Sequence, residues 1–146
     1  FTEEETNIGR KLFFNFYNSK CFDRIAHVVS IEDTLYSHVM GGYAGRVDII
    51  YENKKGHLVI LDFKSSKKAK REDWIENYKM QIAAYSLAYW EMYGRKPQGG
   101  EIWISNEAEG FPQIFEMTFD DIAKYGKVFL GLVKEFHNKY VLEPNI

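Results

Sequence analysis

The sequence predicts an α/β protein, a mixed central sheet of about five strands flanked by helices. Three observations predict it. Stretches with apolar residues at spacings of three and four alternate along the chain with short β-branched runs. Their order is helix, three strands, helix, two strands, helix. The run from Leu58 to Phe63 is apolar on both of its alternating faces around one carboxylate, the pattern of a central strand covered from both sides.

Each element has its own signal. Thr2-Glu3-Glu4-Glu5 has the form of a capping box, and Ile8, Leu12, Phe13, Phe16 and Tyr17 follow at helical spacing, so the first helix is predicted over roughly 3 to 18. Residues 26–38 are rich in β-branched types and read as a strand, and "MGGY" as a turn. "AGRVDIIYE" and "HLVILDFKS" are two strands joined by "NKKG", a hairpin signal. Asp73-Trp74-Ile75-Glu76 is a second capping box, and Ile75, Tyr78, Ile82, Tyr85 and Tyr89 carry a long helix toward Gly94. "EIWIS" and "QIFEMTF" are short strands. A last helix opens at Thr118 to Asp121, with Ile122, Tyr125, Phe129, Leu132, Val133, Phe136 and Tyr140 as its apolar stripe.

Length and composition narrow the function. The 146 residues suit one domain, expected over 1–146, and 45% hydrophobic with 27% charged residues is ordinary globular composition. A net charge of -2 excludes a global positive field, so any polyanion contact is local. Lys64, Lys67, Lys68, Lys70 and Arg71 form a basic run without an anion. Cys21 stands alone, which excludes an intrachain disulfide and a cysteine-based zinc or iron–sulfur site within the chain, and fits an intracellular, reducing compartment. No stretch approaches the ~18 apolar residues of a membrane helix, so no membrane partner is expected.

The hairpin carries the chemistry. If Lys54, Lys55 and Gly56 form a three-residue loop with Gly56 left-handed, Asn53 faces His57 and, counting outward, Asp48 faces Asp62. Opposed side chains share a face with Cβ atoms ~4.5–5.5 Å apart, and alternation puts Lys64 on that face as well. Two carboxylates that close repel each other unless a proton or a cation intervenes. A hard divalent cation with an amine beside it is one reading. Surface aspartates, with Lys64 as the salt-bridge partner of Asp62, is the other. A register slip of one residue would send the aspartates to opposite faces.

The surrounding residues form a pattern. Gly45-Arg46-Val47-Asp48, then Asp62-Phe63-Lys64-Ser65, then Gln81-Ile82-Ala83-Ala84-Tyr85 stand in that order. Together they resemble the PD-(D/E)XK nucleases, most of all the RecB-type branch with its G-x-x-D, D-x-K-[TS] and Q-x-x-x-Y. Within that branch the stretch 41–66 is similar to phage-type exonucleases and the mitochondrial genome maintenance exonuclease. The resemblance implies a restriction-endonuclease-like fold and hydrolysis of DNA phosphodiesters with Mg²⁺ or Mn²⁺ in replication, recombination or repair. It makes Asp48, Asp62 and Lys64 the catalytic set and assigns metal binding to Asp48, Asp62 and the Phe63 carbonyl. Glu32 is the preferred further ligand, ahead of His27 and His38. Such a group often lies on an earlier helix in the family, and the chain opens on Phe rather than Met, so an upstream segment is another source.

The remaining expectations concern substrate. Gln81 and Tyr85 share a helix face and are expected to point at the site, holding Lys64 or the substrate backbone. Lys67, Lys68, Lys70 and Arg71 are expected to contact phosphates of single-stranded DNA or a duplex end. Trp74 and Tyr78 suit either base stacking or core packing, and Arg46 either a phosphate or an ion pair. His57 and His137 read as surface or packing residues. Two other functions compete: a non-catalytic nucleic-acid-binding module, against which the intact Asp48, Asp62, Lys64 set argues, and a small-molecule hydrolase, which has no use for the basic run.

Overall fold

The computed structural model describes residues 2–71 and 75–140. Helix α1 runs Glu3–Asn18, followed by a 3-10 turn at Cys21–Arg24. Strand β1 spans His27–Ser37, β2 Tyr43–Glu52 and β3 Leu58–Ser66; α2 spans Glu76–Tyr93, β4 Gly99–Asn106, β5 Gln113–Thr118 and α3 Phe119–Tyr140. The element order matches the prediction. The sheet order is β1-β2-β3-β4-β5, with β3 and β4 parallel and the other neighbours antiparallel. This is the mixed five-stranded sheet of the restriction-endonuclease-like fold, and the apolar strand β3 is its centre.

The caps behave as the sequence implies. Glu5 N–H donates to Thr2 Oγ1 at 3.1 Å and Thr2 N–H to Glu5 Oε2 at 2.8 Å, so two otherwise orphaned donors of α1 are satisfied. Thr118 and Asp121 exchange bonds in the same way at the start of α3. The second capping box rests on Asp73 and Trp74, which lie outside the described residues; α2 ends at left-handed Gly94, whose N–H reaches Trp90 O.

Two layers cover the sheet. Under α2 and α3 lie Leu35, Ile50, Leu58, Ile60, Ile102 and Ile104, all fully buried, with Ile82 of α2 packed onto them. On the other face Tyr51, Val59, Leu61 and Trp103 pack with Cys21 and with Phe16 and Phe22 from α1 and the 3-10 turn. Alternation along β3 thus sends Leu58 and Ile60 to one layer, Val59 and Leu61 to the other. Two predicted stripes differ from this packing. In α1, Phe13 and Tyr17 are exposed, while Asn15 is buried and donates to Ser105 Oγ, Asn106 O and Glu109 O. In α3, Ile122 and Val133 are buried, but Leu132, Phe136 and Tyr140 face outward. A helix of that length shows more apolar positions than its neighbours α2 and β5 can cover.

The hairpin has the expected register. Ile49 pairs with Leu61, Ile50 with Ile60, Tyr51 with Val59 and Glu52 with Leu58. Asn53 N–H donates to His57 O, and Gly56 turns the loop at φ +78°. The ladder stops at Ile49 and Leu61, however, one pair short of the aspartates. From there β2 continues beside β1 only, and β3 beside β4 only. Val47 and Ile50 both enter the core under α2, so strict alternation in β2 is interrupted between them. The sheet forks there, and the fork places the site.

Candidate active site

Asp48 stands at the fork. Its Oδ2 accepts from Phe63 N–H at 2.8 Å, replacing the ladder bond that the departing strand no longer supplies. The carboxylate is thereby fixed against β3. Asp62, on β3, is 5% exposed, its side chain on the α2 face and in hydrogen-bond contact with Asp48. The two carboxylates therefore meet at the fork; what differs from the predicted cross-strand pair is the manner, since a side chain–backbone bond takes the place of the last rung.

Lys64 Nζ lies 2.8 Å from Asp62 Oδ2 and donates to Gln81 Oε1 at 3.0 Å. Gln81 Nε2 in turn donates to the Tyr85 hydroxyl at 2.8 Å. That second bond orients the amide so that its oxygen faces the amine. Both residues point at the site, as one face of α2 requires. The predicted Gly45 also acquires a reason. A Cβ there would sit 2.4 Å from Tyr85 Cε1, so the ring of the third motif lies on the bare backbone of the first.

The charge balance is uneven. Burial, then the hydrogen bond with Asp48, push the Asp62 carboxyl up to about 6, while Lys64 acts in the opposite sense. Asp62 Oδ2 is buried, and its partner is the Lys64 ammonium at 2.8 Å. Burial and the nearby Asp62 charge likewise raise the Tyr85 phenol above its usual range. Two carboxylates in contact share the single ammonium of Lys64, and with both ionised they are short of one positive charge. That is the condition a divalent cation relieves, and oxygen donors suit a hard one.

Other predicted residues fall elsewhere. Glu32 sits in β1 where the register would bring it beside Asp48, but its backbone is left-handed at φ +53° and its exposed carboxylate pairs with Arg46 at 2.8 Å. Among the described residues no group of three or more His, Cys, Asp or Glu side chains is arranged to hold a metal. Glu32 therefore does not join the aspartates. His27 pairs with Glu52 near the hairpin end of the sheet, and His38 N–H donates to Glu91 Oε1. Phe63 turns its ring to the opposite layer, against Phe16, Phe22 and Trp103, and contributes only backbone to the site. His57 lies in the hairpin loop, exposed. His137 Nε2 is 2.7 Å from Gly42 O and packs α3 against that turn.

The basic run leaves β3 beside the site. Lys67 and Lys68 are exposed, Lys70 half-buried and Arg71 exposed. With Ser65, Ser66 and Tyr78, the three lysines line a cleft of about 380 Å³. Ser66 Oγ ties the turn to Lys68, at 2.5 Å from its carbonyl. Gln113 of β5 clamps its far side: Lys70 N–H donates to Gln113 Oε1, and Gln113 Nε2 donates to Lys70 O, both at 2.6 Å. Sequence reasoning missed this clamp, and no local pattern signals it. Another cleft, of about 410 Å³, opens at the hairpin end of the sheet near Lys54, Lys55 and Glu101, and contains none of the motif residues.

The solved structure of SSO0001 has a TM-score of 0.48 and 19% identity over 79% of this chain and 60% of its own. A "Putative exonuclease" from Eubacterium rectale has a TM-score of 0.51 and 15% identity over 92% of this chain and 50% of its own. The chain thus spans about half to three-fifths of the length of these two. No curated protein matches it. The sequence profile of the PD-(D/E)XK nuclease superfamily matches residues 21–143, a span that contains the fork, both aspartates, the lysine and the α2 motif, and so this chain belongs to the PD-(D/E)XK nuclease superfamily.

Proposed function

We propose that the chain is a divalent-cation-dependent deoxyribonuclease of the RecB-type branch, acting as an exonuclease on DNA. The observation that carries this is the pair of carboxylates at the fork, in contact, under-compensated and with Lys64 alongside. The branch rests on the three linked motifs. Exonuclease action rests on the same motifs, in keeping with the name of the Eubacterium rectale protein.

Asp48 and Asp62 would hold the cation, Mg²⁺ or Mn²⁺, with the Phe63 carbonyl as a further oxygen. When bound, such a cation polarises a phosphate oxygen and lowers the pKa of an attached water. The chain's own residues supply the rest. Phe63 N–H keeps Asp48 in place. Asp62, pushed up only to about 6, is ionised near neutral pH and would offer the cation a carboxylate. Lys64, with Gln81 steering it, presents an ammonium to the charge that grows on phosphorus. Lys67, Lys68, Lys70 and Arg71 would bind phosphates along the strand, an affinity that is salt-sensitive and blind to sequence.

The test is hydrolysis of end-labelled single- and double-stranded DNA with Mg²⁺ or Mn²⁺. Nucleotides released from linear but not covalently closed circular DNA are expected. Asp62→Ala is expected to lower the rate by roughly 10²–10³-fold or more, at least the size of the loss when one preorganised transition-state donor is removed. Cleavage by Asp62→Ala at the wild-type rate would remove the site assignment. DNA binding without cleavage in the wild type would leave the non-catalytic module instead.

A further inference from the structure

Lys64 reaches the site on four flexible methylenes, and a strongly hydrated ammonium does not hold a position unaided. Two of its contacts are polar: Asp62 Oδ2 and Gln81 Oε1. The third is not. Lys64 Nζ stands 4.9 Å from the centroid of the Tyr78 ring, within the range where a ring face attracts a cation. Tyr78 is half-buried, three residues before Gln81 on α2, so ring and amide reach the amine from one helix face. The ring also walls the cleft formed by Ser65, Ser66 and the lysines.

We infer that Tyr78 is a positioning residue for Lys64: its ring face holds the ammonium in place between Asp62 and the basic cleft. The three partners are not equivalent. A carboxylate that turns toward a divalent cation weakens as a partner for an amine, and the cation repels the amine directly. A ring face carries no net charge and keeps its attraction. Tyr78 and Gln81 therefore hold Lys64 when Asp62 is engaged, a role outside the three motifs.

The inference rests on the nuclease reading for its effect on rate, but not for its geometry, and the experiment separates the two. Tyr78→Phe keeps the ring face; Tyr78→Leu keeps apolar bulk and removes the ring. In the metal-free protein, the Lys64 εCH₂ protons, assigned by their loss in Lys64→Met, are expected upfield of ordinary lysine signals in the wild type and in Tyr78→Phe, and at ordinary positions in Tyr78→Leu. In DNA cleavage, Tyr78→Leu is expected to lower kcat about tenfold with KM unchanged, and Tyr78→Phe to restore it. In a Lys64→Met background, Tyr78→Leu is expected to cost nothing further. Lys64 signals unaffected by the loss of the ring would overturn the inference. So would a rise in KM at constant kcat, which would mean that the ring contacts substrate. Ring-shifted Lys64 signals in a wild type that cleaves no DNA would uphold the contact and remove the nuclease reading. Thermal midpoints of both variants close to wild type are the expected control; a loss of activity that tracks unfolding in Tyr78→Phe as well as Tyr78→Leu assigns the ring to packing alone.

Discussion

Asp62 shows what the site costs the fold. Its carboxyl holds a proton up to about 6, against an ordinary value of 3.8, chiefly because it is buried. The folded chain therefore binds more protons than the unfolded chain between those values. Linkage then gives a contribution that favours folding in acid and is lost as pH rises through that window. In the cation-free protein, Asp62→Asn is expected to be neutral near pH 4 and stabilising at pH 7.5 by on the order of 2 kcal/mol, read from urea midpoints in EDTA. Mn²⁺ is expected to raise the wild-type midpoint and leave that of Asp62→Asn unchanged, since only a folded site with its carboxylate binds the ion. The aspartate was legible in the sequence because a charged residue interrupts an apolar strand. Its burial and its raised carboxyl were not, because they depend on Asp48 and on α2.

Gly45 and Gln113 act through elements. The Tyr85 ring of α2 lies where a Cβ on Gly45 of β2 would be, 2.4 Å from Cε1, and the ring is buried with its hydroxyl bonded to Gln81, so it cannot retreat cheaply. Gly45→Ala is expected to destabilise by about 1–3 kcal/mol, the usual cost of overpacking, and to reduce cleavage by displacing Tyr85 and with it Gln81. Urea midpoints and kcat measured together check it, and an unchanged kcat would separate the ring from the site. The first and third motifs are thus one contact, 40 residues apart in the chain, and the motif spacing alone could not say so. Gln113 plays the corresponding part for the basic turn, since its amide meets both backbone groups of Lys70. Gln113→Ala is expected to raise KM for DNA several-fold at near-constant kcat, and to flatten the salt dependence of KM as fewer lysines engage phosphate. The sequence shows the lysines but not the clamp, for Gln113 lies 43 residues beyond Lys70.

Across the molecule, the two faces of the sheet do different work. The α2 face carries the carboxylates, Lys64 and the larger core. The opposite face attaches α1 and the 3-10 turn, partly through Arg24, which bridges Glu101 at 2.8 Å and also pairs with Glu116. Glu101 is 5% exposed, its carboxyl raised by burial and opposed by Arg24, and Trp103 Nε1 donates to it at 3.3 Å. Arg24→Ala is expected to cost about 3 kcal/mol, because it leaves a buried carboxylate without its cation, and Glu101→Gln is expected to recover much of that loss. The check is a double-mutant comparison of thermal midpoints, with DNA cleavage by the folded variants close to wild type because the site lies on the other face.

The order of elements, the mixed sheet, the hairpin register and the positions of Asp48, Asp62, Lys64, Gln81 and Tyr85 were all readable from the residues. The elements and the register follow from short-range rules, period 2 in strands, 3.6 in helices, and a glycine whose φ closes a three-residue loop, while the convergence of Gln81 and Tyr85 on the aspartates and Lys64 was implied by the family resemblance. Tertiary structure decided the rest. It ended the β2–β3 ladder one pair early and let a side chain finish it. It turned Glu32 out toward Arg46 through one left-handed residue inside a strand. It also chose which apolar positions of α1 and α3 find a neighbour. These outcomes depend on where strands part and on partners many tens of residues away, and local periodicity carries no record of either.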